Sequence, residues 1–287
     1  MNPQRYGRAL LASAWLGLLA GCVQVPDLAQ RSHTADALAT ARGWQATSLH
    51  SDSFRLRAYL PAAPAAAEVL TVYLEGDGLA WLGASTPSDD PTPINPLALQ
   101  LALQDRQPAA YLARPCQYES TDQAPCRQAY WTRLRFAPEV VQASSQALDQ
   151  LKQRFRAQRL LLVGYSGGGT LAALLAARRQ DVAGLITVAA SLDHRAWAQD
   201  KQLSALSGSL NPGDDWQVLQ WLPQRHYVGG QDSQVGRVPA DAYAARFPPA
   251  RRPQVVALPG FDHHCCWLQQ WPALKQEALA HWQLPGM

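Results

Sequence analysis

Arg159-Leu-Leu-Leu-Val163 runs straight into Gly164-Tyr165-Ser166-Gly167-Gly168-Gly169, and Thr170-Leu-Ala-Ala-Leu-Leu-Ala-Ala-Arg178 follows with helical spacing. A short apolar run, then Gly-x-Ser-x-Gly, then a helix is the strand–turn–helix setting that lifts a serine hydroxyl clear of a sheet edge. Glycines two before and two after the serine leave no Cβ to clash where strand and helix cross. Ser166 therefore reads as a candidate nucleophile rather than as a residue of an ordinary glycine-rich turn.

Working outward from that turn, strand-like and helix-like segments alternate. Phe54–Leu60 alternates apolar and polar residues, as an edge strand with one wet face does, and Val69–Leu74 is a continuous apolar strand. Ala109–Ala113 is the next strand, and Pro138–Arg156 carries Val140, Val141, Leu148, Leu151 and Phe155 on one helical side. Pro138 suits a first helical position. Further strands are expected at Gly184–Ala190, Arg225–Gly229 and Gln254–Leu258, with helices around 170–178 and 239–246. This order predicts the α/β class, with a mostly parallel central sheet and helices on both faces.

A serine needs a base to take its proton and an acid to orient that base. Asp232 lies just beyond the strand 225–229, and His263 and His264 lie just beyond the strand 254–258. Serine, acid and base thus each fall at the C-terminal end of a strand, where open α/β sheets build their sites. Asp193, after the strand that follows the elbow helix, is the alternative acid, and His264 is the alternative base. Asp262 is read as a turn residue. His263-His264-Cys265-Cys266 holds four metal-ligand types in a row, but successive side chains point apart and cannot converge on one ion, so no metal is expected.

Tyr73–Trp81, Arg114–Tyr118, Gly164–Gly168, Leu192–His194 with Trp197, and Ser209–Pro212 together resemble the α/β-hydrolase superfamily over residues 50–283. More closely, they resemble a group of Gram-negative exported lipoproteins within it. The resemblance implies the α/β-hydrolase fold and a Ser166, Asp232, His263 triad. The Gly260-x-x-His263 spacing usual in relatives favours His263 over His264. It further implies an oxyanion hole from the amides of Gly167 and Asp77, because Glu75-Gly76-Asp77-Gly78 stands where lipases and esterases carry His-Gly-x. A carboxylate at 77 departs from that pattern and would oppose catalysis if it faced the developing charge. Its side chain is expected to turn into a local hydrogen-bond network instead.

The segment 191–224 is longer than a usual connection and is the expected cap or lid, with His194, Trp197, Asn211 and Asp214 as candidate specificity residues. Trp81, Trp197, Trp216 and Trp221 are candidates either for lining a pocket or for ordinary packing.

The N-terminus reads as an export signal: Arg5 and Arg8, a mostly apolar stretch from Ala9 to Ala20 too short to span a bilayer, then Leu19-Ala20-Gly21-Cys22. Leu-Ala-Gly-Cys resembles the lipobox of bacterial lipoproteins. That implies a signal peptide over 1–21, lipidation at Cys22 and a membrane anchor made of acyl chains. Val23 after the cysteine, by the same resemblance, favours the outer membrane facing the periplasm. Residues 22–47 read as a tether and 48–287 as one catalytic domain. Losing Arg5 and Arg8 takes two from 25 Lys+Arg against 22 Asp+Glu, leaving a nearly neutral chain. With no basic run interleaved with aromatics, nucleic acid is not an expected partner.

Four further cysteines in an exported chain suggest disulfides. Cys116 and Cys126 flank a short polar loop and are the expected pair. Cys265 and Cys266 would form a vicinal bridge or stay reduced. The expected activity is hydrolysis of a small-molecule or lipid-like carboxylic ester without a cofactor. The alternatives are an acyltransferase with the same serine chemistry and a non-catalytic envelope binding protein.

Overall fold

One twisted sheet of eight strands organises the chain, in the order β1-β2-β4-β3-β5-β6-β7-β8. The computed structural model describes residues 25–119, 121 and 124–282. The export signal and Cys22 lie outside the described residues. The elements in chain order are α1 (Leu28–Thr40), β1 (Trp44–His50), β2 (Arg55–Pro61), β3 (Val69–Leu74), α2 (Leu97–Ala102), β4 (Ala109–Leu112), α3 (Pro138–Phe155), β5 (Arg159–Tyr165), α4 (Gly167–Ala176), β6 (Val182–Val188), α5 (His194–Asp200), α6 (Trp216–Leu219), β7 (Gln224–Gly229), α7 (Val238–Ala245), β8 (Gln254–Leu258) and α8 (Trp267–Ala280). The β1–β2 and β2–β4 pairs are antiparallel, and all the others are parallel.

Period-two alternation along the central strands feeds two cores. Leu70, Val72 and Leu74 of β3 and Leu160 and Leu162 of β5 face the side packed by α3, α4 and α7. Val69 and Tyr73 of β3 and Leu161, Val163 and Tyr165 of β5 face the side packed by α1, α2 and α8. Strands covered on both faces carry near-continuous apolar sequence, which is why these segments read so clearly.

Residues 28–47 correct the expectation of a tether over 22–47. Asp27 caps α1 through a capping box with Gln30, and Ala35 and Ala39 pack beneath it. Arg31 crosses to the loop after β3, donating to the carbonyls of Asp90 and Thr92 at 3.3 and 2.5 Å. β1 then pairs along its whole length with β2 and forms the sheet edge. Most of its residues stay partly or fully exposed, so its sequence carries no strong alternation. Four further helices among the described residues, α2, α5, α6 and α8, lie beyond those legible in the sequence.

The 191–224 segment leaves the sheet after β6, carries α5 and α6, and returns as β7. Cys116–Cys126 is bridged with a Cα separation of 5.6 Å, and Cys265–Cys266 is bridged as a vicinal pair. Among the described residues no helix is long and apolar enough to cross a membrane, and no cluster of ligand side chains could hold a metal.

Candidate active site

Ser166 stands between β5 and α4 with φ 51° and ψ −125°. A positive φ is costly outside glycine and persists only where surrounding bonds hold it. Here the Ser166 N–H donates to Val188 O at 2.8 Å, and Ser166 O accepts from Gly169 N at 2.9 Å. A Cβ at Gly164 would lie 2.3 Å from Gly168 O, so the entering strand and leaving helix close on each other at that glycine.

The loops after β7 and β8 are tied together where Gln231 N–H donates to Phe261 O at 2.8 Å. They carry Asp232 and His263. His263 Nε2 lies 3.1 Å from Ser166 Oγ, and His263 Nδ1 lies 2.8 Å from Asp232 Oδ2. Asp232 Oδ1 accepts from the N–H groups of Gln234 and Val235, both at 2.9 Å. Burial works to raise the Asp232 pKa, but the bond to His263 and these two amides hold it below the ordinary carboxylate range. The result is a continuous hydrogen-bonded chain from a fixed carboxylate to a serine hydroxyl.

The alternative residues sit elsewhere. Asp193 caps α5 by accepting from Arg195 and Ala196 N–H, and pairs with Arg246 at 3.1 Å, so it is not the partner of His263. His264 has Nδ1 3.0 Å from the Tyr165 hydroxyl and Nε2 3.1 Å from Gln234 Nε2, and it bonds to neither Ser166 nor Asp232. It remains at the site as part of the cavity wall.

The Asp77 side chain turns away into a charge network. Its Oδ1 accepts from Arg114 Nη1 at 3.0 Å and its Oδ2 from Arg135 Nη1 at 2.5 Å. Burial raises the Asp77 pKa, yet the two guanidiniums outweigh it and hold the carboxyl below its ordinary range. Neither the Asp77 amide nor the Gly167 amide donates to an acceptor among the described residues, leaving both free at the nucleophile. Glu75, at the end of β3, is 1% exposed. Its Oε1 accepts from Gly76 N–H at 2.9 Å while Oε2 has no partner, and burial pushes the carboxyl up to about 7.

A cavity of about 880 Å3 opens above Ser166 and His263. Trp197, Leu203 and Leu206 reach it from the segment expected as a cap, and Trp81 and Ile94 reach it from the loop after β3. Of the other tryptophans, Trp216 packs edge-on against Phe247 and Trp221 lies exposed against Arg251. His194, Asn211 and Asp214 hold the cap segment: Asn211 Oδ1 accepts from His194 N–H, and Asp214 pairs with Arg195. Sequence reasoning missed Arg135 and, apart from Trp81, the 79–95 wall. No motif marks Arg135 or the wall beyond Trp81, and the wall is a long loop whose walling role depends on folding over the elbow.

The fold is similar to that of several solved structures. An esterase from Pyrococcus furiosus, Pf2001, superposes with a TM-score of 0.57 at 12% identity, over 85% of this chain and 93% of the other. Est1E from Butyrivibrio proteoclasticus gives 0.53 at 16% identity, over 82% and 99%. The chain has the α/β-hydrolase fold. XC6422 from Xanthomonas campestris, described as an α/β serine hydrolase without a lid, gives 0.55 at 14% identity, over 85% and 96%. No family model and no curated relative matches the chain.

Proposed function

We propose that this α/β-hydrolase-fold protein is a serine hydrolase that cleaves carboxylic esters through Ser166, His263 and Asp232. The single observation that supports it most is the bonded chain from Asp232 through His263 to Ser166 at 2.8 and 3.1 Å. The neighbour described as an esterase points the same way.

In this reading Ser166 Oγ attacks the ester carbonyl as His263 Nε2 takes its proton. The carbonyl oxygen becomes an oxyanion that receives the amides of Gly167 and Asp77. His263 then gives the proton to the departing alcohol, leaving an acyl group on Ser166. Water, deprotonated by the same imidazole, attacks the acyl carbonyl and releases the acid. Asp232 holds the proton on Nδ1 throughout, so that Nε2 is free to accept. The apolar cavity over Ser166 suits an acyl chain or aromatic group. A fluorophosphonate probe and p-nitrophenyl esters of graded length test the reading. Labelling and turnover are expected in the wild type and absent in Ser166→Ala; equal turnover by both proteins overturns it.

The same reading includes export. Leu19-Ala20-Gly21-Cys22 supports acylation of Cys22 and anchoring at the outer membrane, with the catalytic unit in the periplasm. Radiolabelled palmitate should enter the full chain and not Cys22→Ala. Recovery of both proteins, unlabelled, in the cytoplasm refutes the anchor.

A further inference from the structure

Arg135 is 5% exposed, yet it lines the cavity that contains Ser166. It lies in the turn before α3, and its guanidinium is fixed on two sides. Nε donates to Thr132 O at 2.7 Å, and Nη1 donates to Asp77 Oδ2. Its remaining nitrogen, Nη2, bonds to no residue among those described. The guanidinium carbon lies 6.0 Å from the ring of Trp197, itself a cavity residue.

The charge around it is unbalanced. Two buried guanidiniums, Arg114 and Arg135, share the one carboxylate of Asp77. Asp232 is committed to His263 on the other side of the nucleophile. Glu75, the other acid in the wall, is buried and bonds to neither guanidinium: its Oε1 accepts from Gly76 N–H and its Oε2 has no partner among the described residues. A cation this well buried is expensive unless paired and fully bonded. Here the surplus cation and the open donor both belong to the substrate cavity. Asp77 also packs against Gly167, which follows the nucleophile, so the guanidinium stands one residue away from the reacting centre.

The geometry points to Arg135 as a specificity residue: the ester bound here carries an anionic oxygen group, of which a carboxylate is the simplest form, that accepts a hydrogen bond from Nη2. This inference rests on the hydrolase reading and narrows it to esters of anionic acids or anionic alcohols. A charge-assisted bond from a buried guanidinium is strong enough to discriminate between an anion and its neutral isostere.

Two probes separate the possible positions of the charge. The p-nitrophenyl monoester of glutaric acid carries it on the acyl side, against p-nitrophenyl pentanoate. The butyrate ester of 4-hydroxybenzoate carries it on the alcohol side, against phenyl butyrate. The wild type is expected to prefer one anionic member in kcat/KM on the order of tenfold or more. Arg135→Gln should lose that preference, and Arg135→Lys should keep part of it. The measured quantity is the ratio of anionic to neutral ester, so a general loss from disturbing Asp77 cancels. No preference in the wild type for either anionic ester overturns the inference, as does a preference that survives in Arg135→Gln. If Arg135→Gln does not fold, the wild-type ratio decides the matter alone. Should the wild type turn over no ester and take no fluorophosphonate label, the hydrolase reading is what fails. Calorimetric binding of glutarate against pentanol to the wild type then still decides for or against the anion site.

Discussion

The carboxylate of Asp77 stands against the α-carbon of Gly167: a Cβ built on Gly167 would lie 2.1 Å from Asp77 Oδ1. The carboxylate is not free to retreat, because Arg114 and Arg135 hold both of its oxygens. Residue 167 is therefore glycine for a reason particular to this chain. The acid that departs from the usual oxyanion-loop pattern occupies the space a side chain would fill.

Gly167→Ala should accordingly push the elbow and the Asp77 loop apart. Misplacing a reacting group by about 1 Å can cost on the order of 100-fold in rate. The expected result is a loss of that size in kcat/KM, with about 1–3 kcal/mol of stability lost to overpacking. Steady-state kinetics and urea unfolding check both, and wild-type kcat in the variant refutes a fixed Asp77–Gly167 contact.

Asp232→Asn leaves an oxygen to accept from Gln234 and Val235 but removes the charge facing His263 Nδ1. With the imidazole no longer held in the tautomer that frees Nε2, kcat should fall by about 10⁴. The fold should persist, as read by circular dichroism. A decrease of only a few-fold means that another group orients His263.

Glu75 gives the protein a pH signature in the opposite direction to its aspartates. Its carboxyl rises from an ordinary 4.5 to about 7 in the fold because ionising it there is penalised by burial. The stability it contributes is complete below pH 4.5 and is lost as pH rises through 7, amounting to about 3 kcal/mol at about 1.4 kcal/mol per pH unit. Glu75→Gln should flatten the urea-unfolding free energy between pH 4.5 and 7 and stabilise the protein at pH 8 relative to wild type. Parallel wild-type and variant curves across that range exclude a titrating buried Glu75.

Asp77 has the reverse sign. Its pKa is lowered in the fold, so its stabilisation is present above the unfolded value of about 3.9 and is lost as pH falls through the native value. Asp77→Asn should remove part of the acid-induced loss of stability between pH 5 and 2. Unfolding midpoints across that range measure it, and an unchanged acid slope argues against the double-arginine pairing.

The Cys116–Cys126 bridge closes a short loop that reaches the site through Gln117. That side chain donates to Gly76 O at 2.9 Å and accepts from Arg114 N–H at 3.0 Å. Replacing both cysteines by serine should lower stability by about 2–4 kcal/mol. Activity should also fall at temperatures below global unfolding, because the Gly76–Asp77 turn loses its brace. A thermal scan read by turnover and by circular dichroism separates the two effects, and coincident curves remove the link to the site.

Much of the sheet was readable because its central strands are buried on both faces and their apolar runs have no rival explanation. β3, β5 and β7 fall where their sequences predict them, within a residue or two, and so does β8, a partly exposed edge strand whose apolar run Val255-Val-Ala-Leu258 still marks it. The failures have a common cause. β1 is an exposed edge, and α1 buries little beyond Arg31, Ala35 and Ala39, so neither shows the periodicity that packing imposes. The 79–95 wall has no regular structure, and Arg135 sits in a turn; both contribute by position alone.

Local sequence is sufficient for the elbow at Ser166, for the order serine, acid, histidine along the chain, and for placing each at a strand's end, because period and turn chemistry act over a few residues. Choosing between His263 and His264, or Asp232 and Asp193, depends on contacts across 31 and 97 positions of chain. Only the twist and register of the assembled sheet bring those loops within hydrogen-bond reach. The same holds for Asp77: its sequence marks a departure from pattern, and the fold supplies the two arginines that make the departure tolerable. An ion pair's partners are set by distance in space, which no spacing along the chain encodes.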